Sequence, residues 1–146
     1  MQEIDYKVLR YIDKIQKQKV GYIAKHLNMA HSTVGSSVKR LEEVGLVCYK
    51  RYQEVELTKK GKNLAIELAR HAHLLELFLY NELGLTVEQA HLESEKFNLL
   101  FSCNTINKIC EKYNHPKTCN CGVEITNAPN CYCEVEESQN KENTEN

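Results

Sequence analysis

The sequence predicts a mainly α-helical protein with a small β wing. Three observations support this fold class: apolar residues recur at helical spacing over most of the first 115 residues, two short β-prone runs lie close together, and capping residues or glycines mark the ends of the helical stretches. The 146 residues suffice for one compact domain or two small ones. We expect an N-terminal winged helix-turn-helix followed by a helical domain.

Three helices are predicted in the first 45 residues. Apolar residues in the first 15 positions form one face of an amphipathic helix, and a short second helix ends near Leu27. After a break at residues 28–31, Ser32 or Thr33 should cap a third helix. Gly45 should end that helix in a left-handed conformation. This order, with a short helix, a tight turn and a longer helix, is typical of a helix-turn-helix.

Two β-prone runs follow at residues 46–49 and 55–57, and the segment between them carries Lys50 and Arg51. Two strands with a basic tip, directly after a helix-turn-helix, are typical of a wing. A plain hairpin at a sheet edge is the alternative interpretation, and the preceding helices favour the wing.

Three further helices are predicted in the second half, each with an N-cap signal. They run from Thr58 to about Tyr80, from Thr86 to about Leu100, and from Ser102 to a point before Pro116. The first of them is too apolar to be a solvated spacer, so we interpret the helical region as a dimerisation domain; one monomeric core is the alternative. The predicted boundaries are 1–62 for the winged helix, 63–118 for the helical domain, 119–133 for a cysteine-rich segment and 134–146 for a disordered polar tail.

The charge is unevenly distributed along the chain. Residues 1–62 contain 13 Lys and Arg against 7 Asp and Glu, a net charge of +6, whereas the rest carries −7. A basic half indicates a polyanionic partner for that half, and a helix-turn-helix makes double-stranded DNA the expected one, although chance solvation of a helical surface is the alternative. The residues expected to contact DNA are Ser32, Thr33, Ser36, Ser37, Lys39 and Arg40 of the third helix, with Lys50 and Arg51 of the wing.

Other function classes find little support in the sequence. No apolar run reaches the length of a membrane span, and the N-terminus lacks the pattern of a secretory signal, so a cytoplasmic protein without a membrane partner is expected. The sequence also contains no glycine-rich phosphate loop, nucleophile elbow or H-E-x-x-H pattern, which argues against an enzyme. A winged-helix module that docks proteins or stores metal is the second hypothesis.

Six of the seven cysteines lie between Cys103 and Cys133. Four of them form two C-x-C pairs separated by nine residues: Cys119, Cys121, Cys131 and Cys133. Four thiolates suit tetrahedral zinc or an iron–sulfur cluster, with thiol redox sensing or simple packing as alternatives. Cys103 and Cys110 are seven residues apart on a predicted helix and are expected to lie in the core, although either could add a fifth thiol.

Several segments resemble the diphtheria-toxin-repressor and manganese-repressor family, over about residues 3–121. They are residues 30–42 (AHSTVGSSVKRLE), 45–47, 57–62, 74–79 with 83–85, and 115–119. The resemblance implies a homodimeric repressor in which a transition metal ion (iron, manganese or zinc) at the domain junction positions the recognition helices on an inverted-repeat operator. The SH3-like third domain of some members has no room here.

The ligand positions implied by the resemblance are only partly conserved in type. Asn98 and Leu99 stand where a Glu-His pair of the primary site is expected, although Glu95 fits a third position. Of the second site, Glu76 and His91 match. We therefore expect a rebuilt site in which His73, Glu76, His91 and Glu95 meet across a helix pair, with solvated surface residues as the alternative.

Overall fold

The structure is a computed structural model and describes residues 1–97 and 101–128. Its elements, in chain order, are α1 (Glu3–Ile15), β1 (Gln18–Lys19), α2 (Val20–His26), α3 (His31–Glu43), β2 (Val47–Cys48), β3 (Glu54–Leu57), α4 (Lys59–Leu83), α5 (Val87–Phe97) and α6 (Cys103–Lys112). The prediction of a mainly helical fold with a small β wing is confirmed. The chain forms two compact units, Met1–Ala65 and the residues from Ile66 onward.

The first unit is a winged helix-turn-helix in which α1 and α2 pack against α3. Its core consists of apolar side chains from all three helices and from β3: Val8, Leu9, Ile12, Ile23, Val34, Val38, Leu41 and Val55. The third helix begins at His31, which was predicted to belong to the preceding turn. The extended Ala30, and not Ser32 or Thr33, occupies its N-cap position. Gly45 has the predicted left-handed conformation, with φ 77°.

The wing belongs to a three-stranded antiparallel sheet with the order β1-β3-β2. Val47 pairs with Leu57, as expected for the predicted hairpin, and Gln18 pairs with Val55. The strand β1 was not predicted, because two polar residues carry no β pattern of their own. It forms because the chain leaving α1 passes beside β3, whose outer edge would otherwise be unpaired.

The N-terminus of α4 is fixed to the turn between α3 and β2. Thr58 caps α4, as predicted, by accepting a hydrogen bond from the Gly61 amide (3.1 Å), and its hydroxyl donates to the Gly45 carbonyl (2.7 Å). A Cβ atom at Gly61 would lie 1.9 Å from the Leu46 carbonyl oxygen, so only glycine allows this approach. The start of α4 is therefore held against the end of the helix-turn-helix.

The second unit is built from α4, α5, α6 and the segment after α6. α5 contributes the buried Ala90. The largest apolar cluster of the unit comes from α4, α6 and the segment after α6: Leu74, Leu75, Leu77, Ile106, Ile109, Cys110, Cys119 and Ile125. The predicted capping box of α5 is present, since the Thr86 amide donates to Gln89 (3.1 Å) and the Gln89 amide donates to the Thr86 hydroxyl (3.2 Å). Ser102 caps α6.

The segment after α6 is part of this core rather than a separate appendage. Cys119 and Ile125 are buried, and a turn at Gly122, with φ 86°, brings Glu124 into an isolated antiparallel bridge with Thr118. None of the helices in the described ranges combines the length and apolar character that a membrane crossing requires.

Candidate DNA-binding surface and metal centre

One face of α3 presents small and basic side chains to solvent. Ser32, Thr33, Ser36 and Lys39 are all exposed, and so are Lys50 and Arg51 of the wing. These six residues of the set expected to contact DNA are therefore accessible to a partner. The wing tip adds a residue that sequence reasoning missed: Tyr52 is 79% exposed, and the Arg51 guanidinium lies over its ring, 5.0 Å from the centroid.

Ser37 and the partly exposed Arg40 bind Asp5 of α1, unlike the other predicted contacts. The Ser37 hydroxyl donates to Asp5 (2.7 Å), and the Arg40 guanidinium binds the same carboxylate through Nε (3.1 Å) and Nη2 (2.8 Å). Ser37 is fully buried because it lies three residues after Val34, on the buried stripe of α3. In this conformation neither side chain belongs to the DNA-facing set, and both fasten α3 to α1.

The Asp5 carboxylate is ionised in this arrangement with Arg40 and Ser37. Burial by itself would raise its pKa, but the hydrogen bonds from Arg40, the Gln2 amide and Ser37 outweigh burial and lower the pKa below its usual value. Each oxygen of Asp5 is thus bound by a donor, and the buried charge is compensated.

A cluster of metal-ligating groups lies in the second unit, which we call the Glu76 cluster. It comprises His73 and Glu76 of α4 with Cys119 and Cys121 of the segment after α6, and one ligand atom of each lies within 4.8 Å of the others. The Cys119 thiol donates to Glu76 Oε2 (2.7 Å), and His73 Nδ1 lies 3.9 Å from Glu76 Oε1. Glu76 is only 2% exposed, whereas Cys121 reaches the surface.

His91 of α5 contacts the same carboxylate from the solvent side. Its Nδ1 lies 2.7 Å from Glu76 Oε1, and its side chain is 45% exposed. Glu95, which was expected to join His91 on one face of the helix pair, is not among the ligand groups that come together in residues 1–97 and 101–128. Three of the four residues of the expected histidine–carboxylate set thus meet at Glu76.

The protonation of the cluster follows from its burial. Desolvation would raise the pKa of Glu76, but hydrogen bonds from Cys119 and His91 and the nearby histidine charges lower it below its ordinary value. Burial, together with the Glu76 carboxylate, raises the pKa of the Cys119 thiol far above its usual range. A thiol–carboxylate pair therefore holds one proton that a cation could displace.

The donor set of the Glu76 cluster fits a transition metal ion. Its two thiols, one imidazole and one carboxylate equal the four ligands that a tetrahedral ion needs, and the imidazole of His91 lies beside Glu76 as a further group. Thiolate and imidazole suit iron(II) and zinc better than manganese(II), which prefers oxygen donors. Cys131 and Cys133 lie outside the described residues, as do Asn98 and Leu99, so the predicted site of four thiolates stays a prediction.

Sequence reasoning treated the histidine–carboxylate set and the cysteine pairs as separate sites. The structure brings Glu76 and His73 together with Cys119 and Cys121. Cys119 lies 43 residues beyond Glu76 in the sequence. No spacing rule in the sequence links these residues, because the packing of Cys119 into the core of the helical unit brings it to Glu76.

Comparison with known proteins agrees with this arrangement of two units. Residues 7–55 match the family described as iron dependent repressor, N-terminal DNA binding domain, and residues 58–127 match iron dependent repressor, metal binding and dimerisation domain. The chain belongs to the iron-dependent repressor family. It carries the DNA-binding domain and the metal-binding and dimerisation domain of these iron- and manganese-dependent regulators.

Individual members of the family show the extent of the similarity. The iron-dependent repressor IdeR of Mycobacterium tuberculosis is 32% identical over 96 residues, which are 66% of this chain and 42% of IdeR. The manganese regulator SloR has a TM-score of 0.74 and 29% identity, with 85% of this chain and 60% of SloR covered. A hypothetical protein from Sulfolobus solfataricus, SSo2273, has a TM-score of 0.73 and 30% identity, with 87% of this chain and 100% of that chain covered. The matched stretch therefore spans less than half the length of IdeR.

Proposed function

We propose that this protein is a homodimeric transcriptional regulator that binds DNA in response to a transition metal ion, acts as a repressor and is not an enzyme. The observation that carries the proposal is the convergence of His73, Glu76, Cys119 and Cys121 in a domain that follows a winged helix with a basic exposed face. Membership of the iron-dependent repressor family supports it.

The proposed DNA contacts are the exposed residues of the first unit. Ser32, Thr33, Ser36 and Lys39 of α3 enter the major groove, and Lys50 and Arg51 of the wing bind phosphates or the minor groove. Two such helices in a dimer require half-sites about one helical turn apart, or a multiple of that distance, which predicts an inverted-repeat operator.

The proposed sensing site is the Glu76 cluster. A bound cation would supply positive charge that compensates Glu76 and the thiolates of Cys119 and Cys121. His73 provides an imidazole from the same helix as Glu76, and His91 keeps its place beside Glu76 Oε1 as a further ligand or as the group that orients the carboxylate. Cys119 must release its proton when the metal ion binds. The hydrogen bond between the Cys119 thiol and the Glu76 carboxylate is then replaced by two negatively charged ligands of the ion.

The primary site implied by the family resemblance finds little support in this chain. Asn98 and Leu99 replace two ligands of that site. The resemblance also implies a ligand from the first helix, and the buried carboxylate of α1, Asp5, is already bound by Arg40 and Ser37. Both observations favour the Glu76 cluster as the site that responds to metal.

The experiment that tests the proposal is operator binding as a function of metal. Genomic fragments selected by the full chain with iron(II) are used in anaerobic fluorescence anisotropy with iron(II), zinc or manganese(II), or with chelator. We expect iron(II) or zinc to tighten binding at least tenfold, which requires a differential affinity of the metal for the DNA-competent state of about 1.4 kcal/mol. Cys119→Ser should remove that gain.

The matched control is Cys48→Ser, which replaces an exposed thiol of the other unit and should respond to metal as the wild type does. DNA binding that is equally tight with metal and with chelator would overturn the metal response. Absence of DNA binding under every condition would overturn the regulator itself. A response that persists in Cys119→Ser but disappears in Cys131→Ser/Cys133→Ser would assign sensing to the cysteine pair that follows the described residues.

A further inference from the structure

A second group of metal-ligating side chains lies elsewhere in the helical unit, in a place that neither the sequence pattern nor the proposed function uses. Glu67 and His71 lie one turn apart on α4, and Cys103 is the first residue of α6. Cys103 was expected to be a core residue like Cys110. Of these two cysteines, Cys110 belongs to the apolar core, whereas the Cys103 thiol contacts Glu67 and His71.

The three ligand atoms have the spacing of a tetrahedral metal site. Cys103 Sγ lies 2.9 Å from Glu67 Oε1 and 3.6 Å from His71 Nε2, and the last two atoms are 3.9 Å apart. Around a tetrahedral zinc ion, with bonds of about 2.0 Å to nitrogen or oxygen and about 2.3 Å to sulfur, neighbouring ligand atoms are about 3.3 to 3.6 Å apart. The Cys103–His71 distance already matches, and changes of about 0.6 Å in the other two distances would complete the geometry.

The surroundings of these atoms also suit an ion. The side chains of His71 and Glu67 are 6% and 13% exposed, so both are largely withdrawn from water, and Cys103 is half-buried. Ser102 caps α6, which places Cys103 in its first turn. The positive end of the helix dipole therefore lies beside the sulfur and favours the thiolate that a metal ion binds.

We propose that Glu67, His71 and Cys103 form a second metal site for a divalent ion of the zinc type. One sulfur, one nitrogen and one oxygen donor form a mixed set that zinc, cobalt(II) and iron(II) accept, and a solvent molecule would occupy the fourth position. Such an ion would join α6 to α4. Because α6 leads directly into the segment that carries Cys119 and Cys121, the ion would also fix the helix on which the Glu76 cluster depends.

Cobalt(II) is the probe that tests this site, because tetrahedral thiolate coordination gives it intense visible and near-ultraviolet bands. The starting chain is the full-length protein with Cys119, Cys121, Cys131 and Cys133 all replaced by serine, prepared anaerobically. We expect it to keep one cobalt(II) per chain with the spectrum of a single thiolate ligand. Adding Cys103→Ser should abolish that spectrum, whereas adding Cys48→Ser should leave it unchanged.

Two results would overturn the second site: no tetrahedral cobalt(II) spectrum in the folded four-serine chain, or a spectrum that Cys103→Ser does not alter. If the four-serine chain does not fold, the single variant Cys103→Ser in the wild-type chain decides. A fall of one equivalent of bound cobalt(II) supports the site, and an unchanged stoichiometry contradicts it. Because DNA binding is not the readout, failure of the proposed regulator function would leave this result intact.

Discussion

Among the described residues, each unit of the protein buries one acidic side chain, and the two carboxylates have opposite surroundings. Asp5 in the winged helix is bound by Arg40, whose charge is permanent, and by the Ser37 hydroxyl. Glu76 in the helical unit is surrounded by thiols and imidazoles, which are groups that can bind a transition metal ion. The first carboxylate is saturated and holds two helices together, whereas the second is bound by groups that a metal ion can take over.

The sharpest contrast between the two carboxylates is expected on adding metal. At a free zinc or iron(II) concentration of 100 times Kd, binding should stabilise the wild-type chain by about 2.7 kcal/mol. Glu76→Gln keeps an acceptor for the Cys119 thiol but loses the charge, so the stabilisation that comes from the Glu76 cluster should disappear while the metal-free stability changes little. Thermal unfolding with and without metal measures both quantities.

The control for this prediction is Glu82→Gln on the same helix, where Glu82 accepts a hydrogen bond from Tyr113 at the surface. It should retain the full metal-dependent shift. A Glu76→Gln variant that is stabilised by metal as strongly as the wild type would show that Glu76 is a structural residue like Asp5.

The second largest effect is expected from removing the charge of Asp5. Asp5→Asn leaves the Arg40 guanidinium without its counter-charge and should lower the free energy of unfolding by about 2 kcal/mol, less than for a fully buried pair because Arg40 reaches solvent. Urea unfolding of the metal-free chain measures the loss. Asp13 lies on the same helix as Asp5 and makes a solvent-exposed contact with Lys62 of α4. Asp13→Asn breaks that contact and should cost less than about 1 kcal/mol.

Acid should reduce this difference between wild type and Asp5→Asn. The pKa of Asp5 is lower in the folded protein than its ordinary value of about 4, so its contribution is complete above pH 4 to 5 and is lost as the pH falls through the folded-state pKa. The difference in unfolding free energy should be constant from pH 7 to about 5 and should shrink below about 4. A difference that is independent of pH down to 3 would mean that the ion pair with Arg40 contributes nothing.

The smallest effect is expected at the wing. Lys50→Ala removes one exposed charge and should reduce the slope of log K against log salt by about 0.9, with a similar loss of affinity for all DNA sequences. The matched control Lys108→Ala, an exposed lysine of α6, should leave the slope unchanged. Anisotropy titrations at four salt concentrations measure it, and an unchanged slope for Lys50→Ala would remove the wing from the DNA contacts.

Local signals made most of the fold predictable from the sequence. Thr58, Thr86 with Gln89, and Ser102 cap the helices that they were expected to cap, and Gly45 and Gly84 have the left-handed conformations that end α3 and α4. Each of these features depends on residues within about four positions of one another. The strand β1 was missed because its pairing depends on β3, which is more than thirty residues away.

The functional sites were less predictable because their partners are distant in the chain. Asp5 and Arg40 are 35 residues apart, and Glu67 and Cys103 are 36 apart, so no spacing rule links them. Ser37 is different, since its position on the Val34, Val38 and Leu41 stripe could have shown that it is buried. Helical periodicity therefore identifies which face a residue occupies, but tertiary packing decides which charged group it meets.

The ion pair between Arg40 and Asp5 has a consequence for how the proposed regulator would distinguish base sequences. With the Arg40 side chain bound to Asp5, the residues of α3 that remain in the set proposed to contact DNA are the short Ser32, Thr33 and Ser36 and the long Lys39. Short side chains reach base edges only when the helix axis lies deep in the groove, so recognition in the proposed complex depends on the contour of the groove and on thymine methyl groups as much as on hydrogen-bond patterns. The space around the Cβ position of Gly35 is open, so a longer side chain there would not disturb the core. In the proposed complex, such a substitution would add a base contact and change the DNA sequence that is recognised.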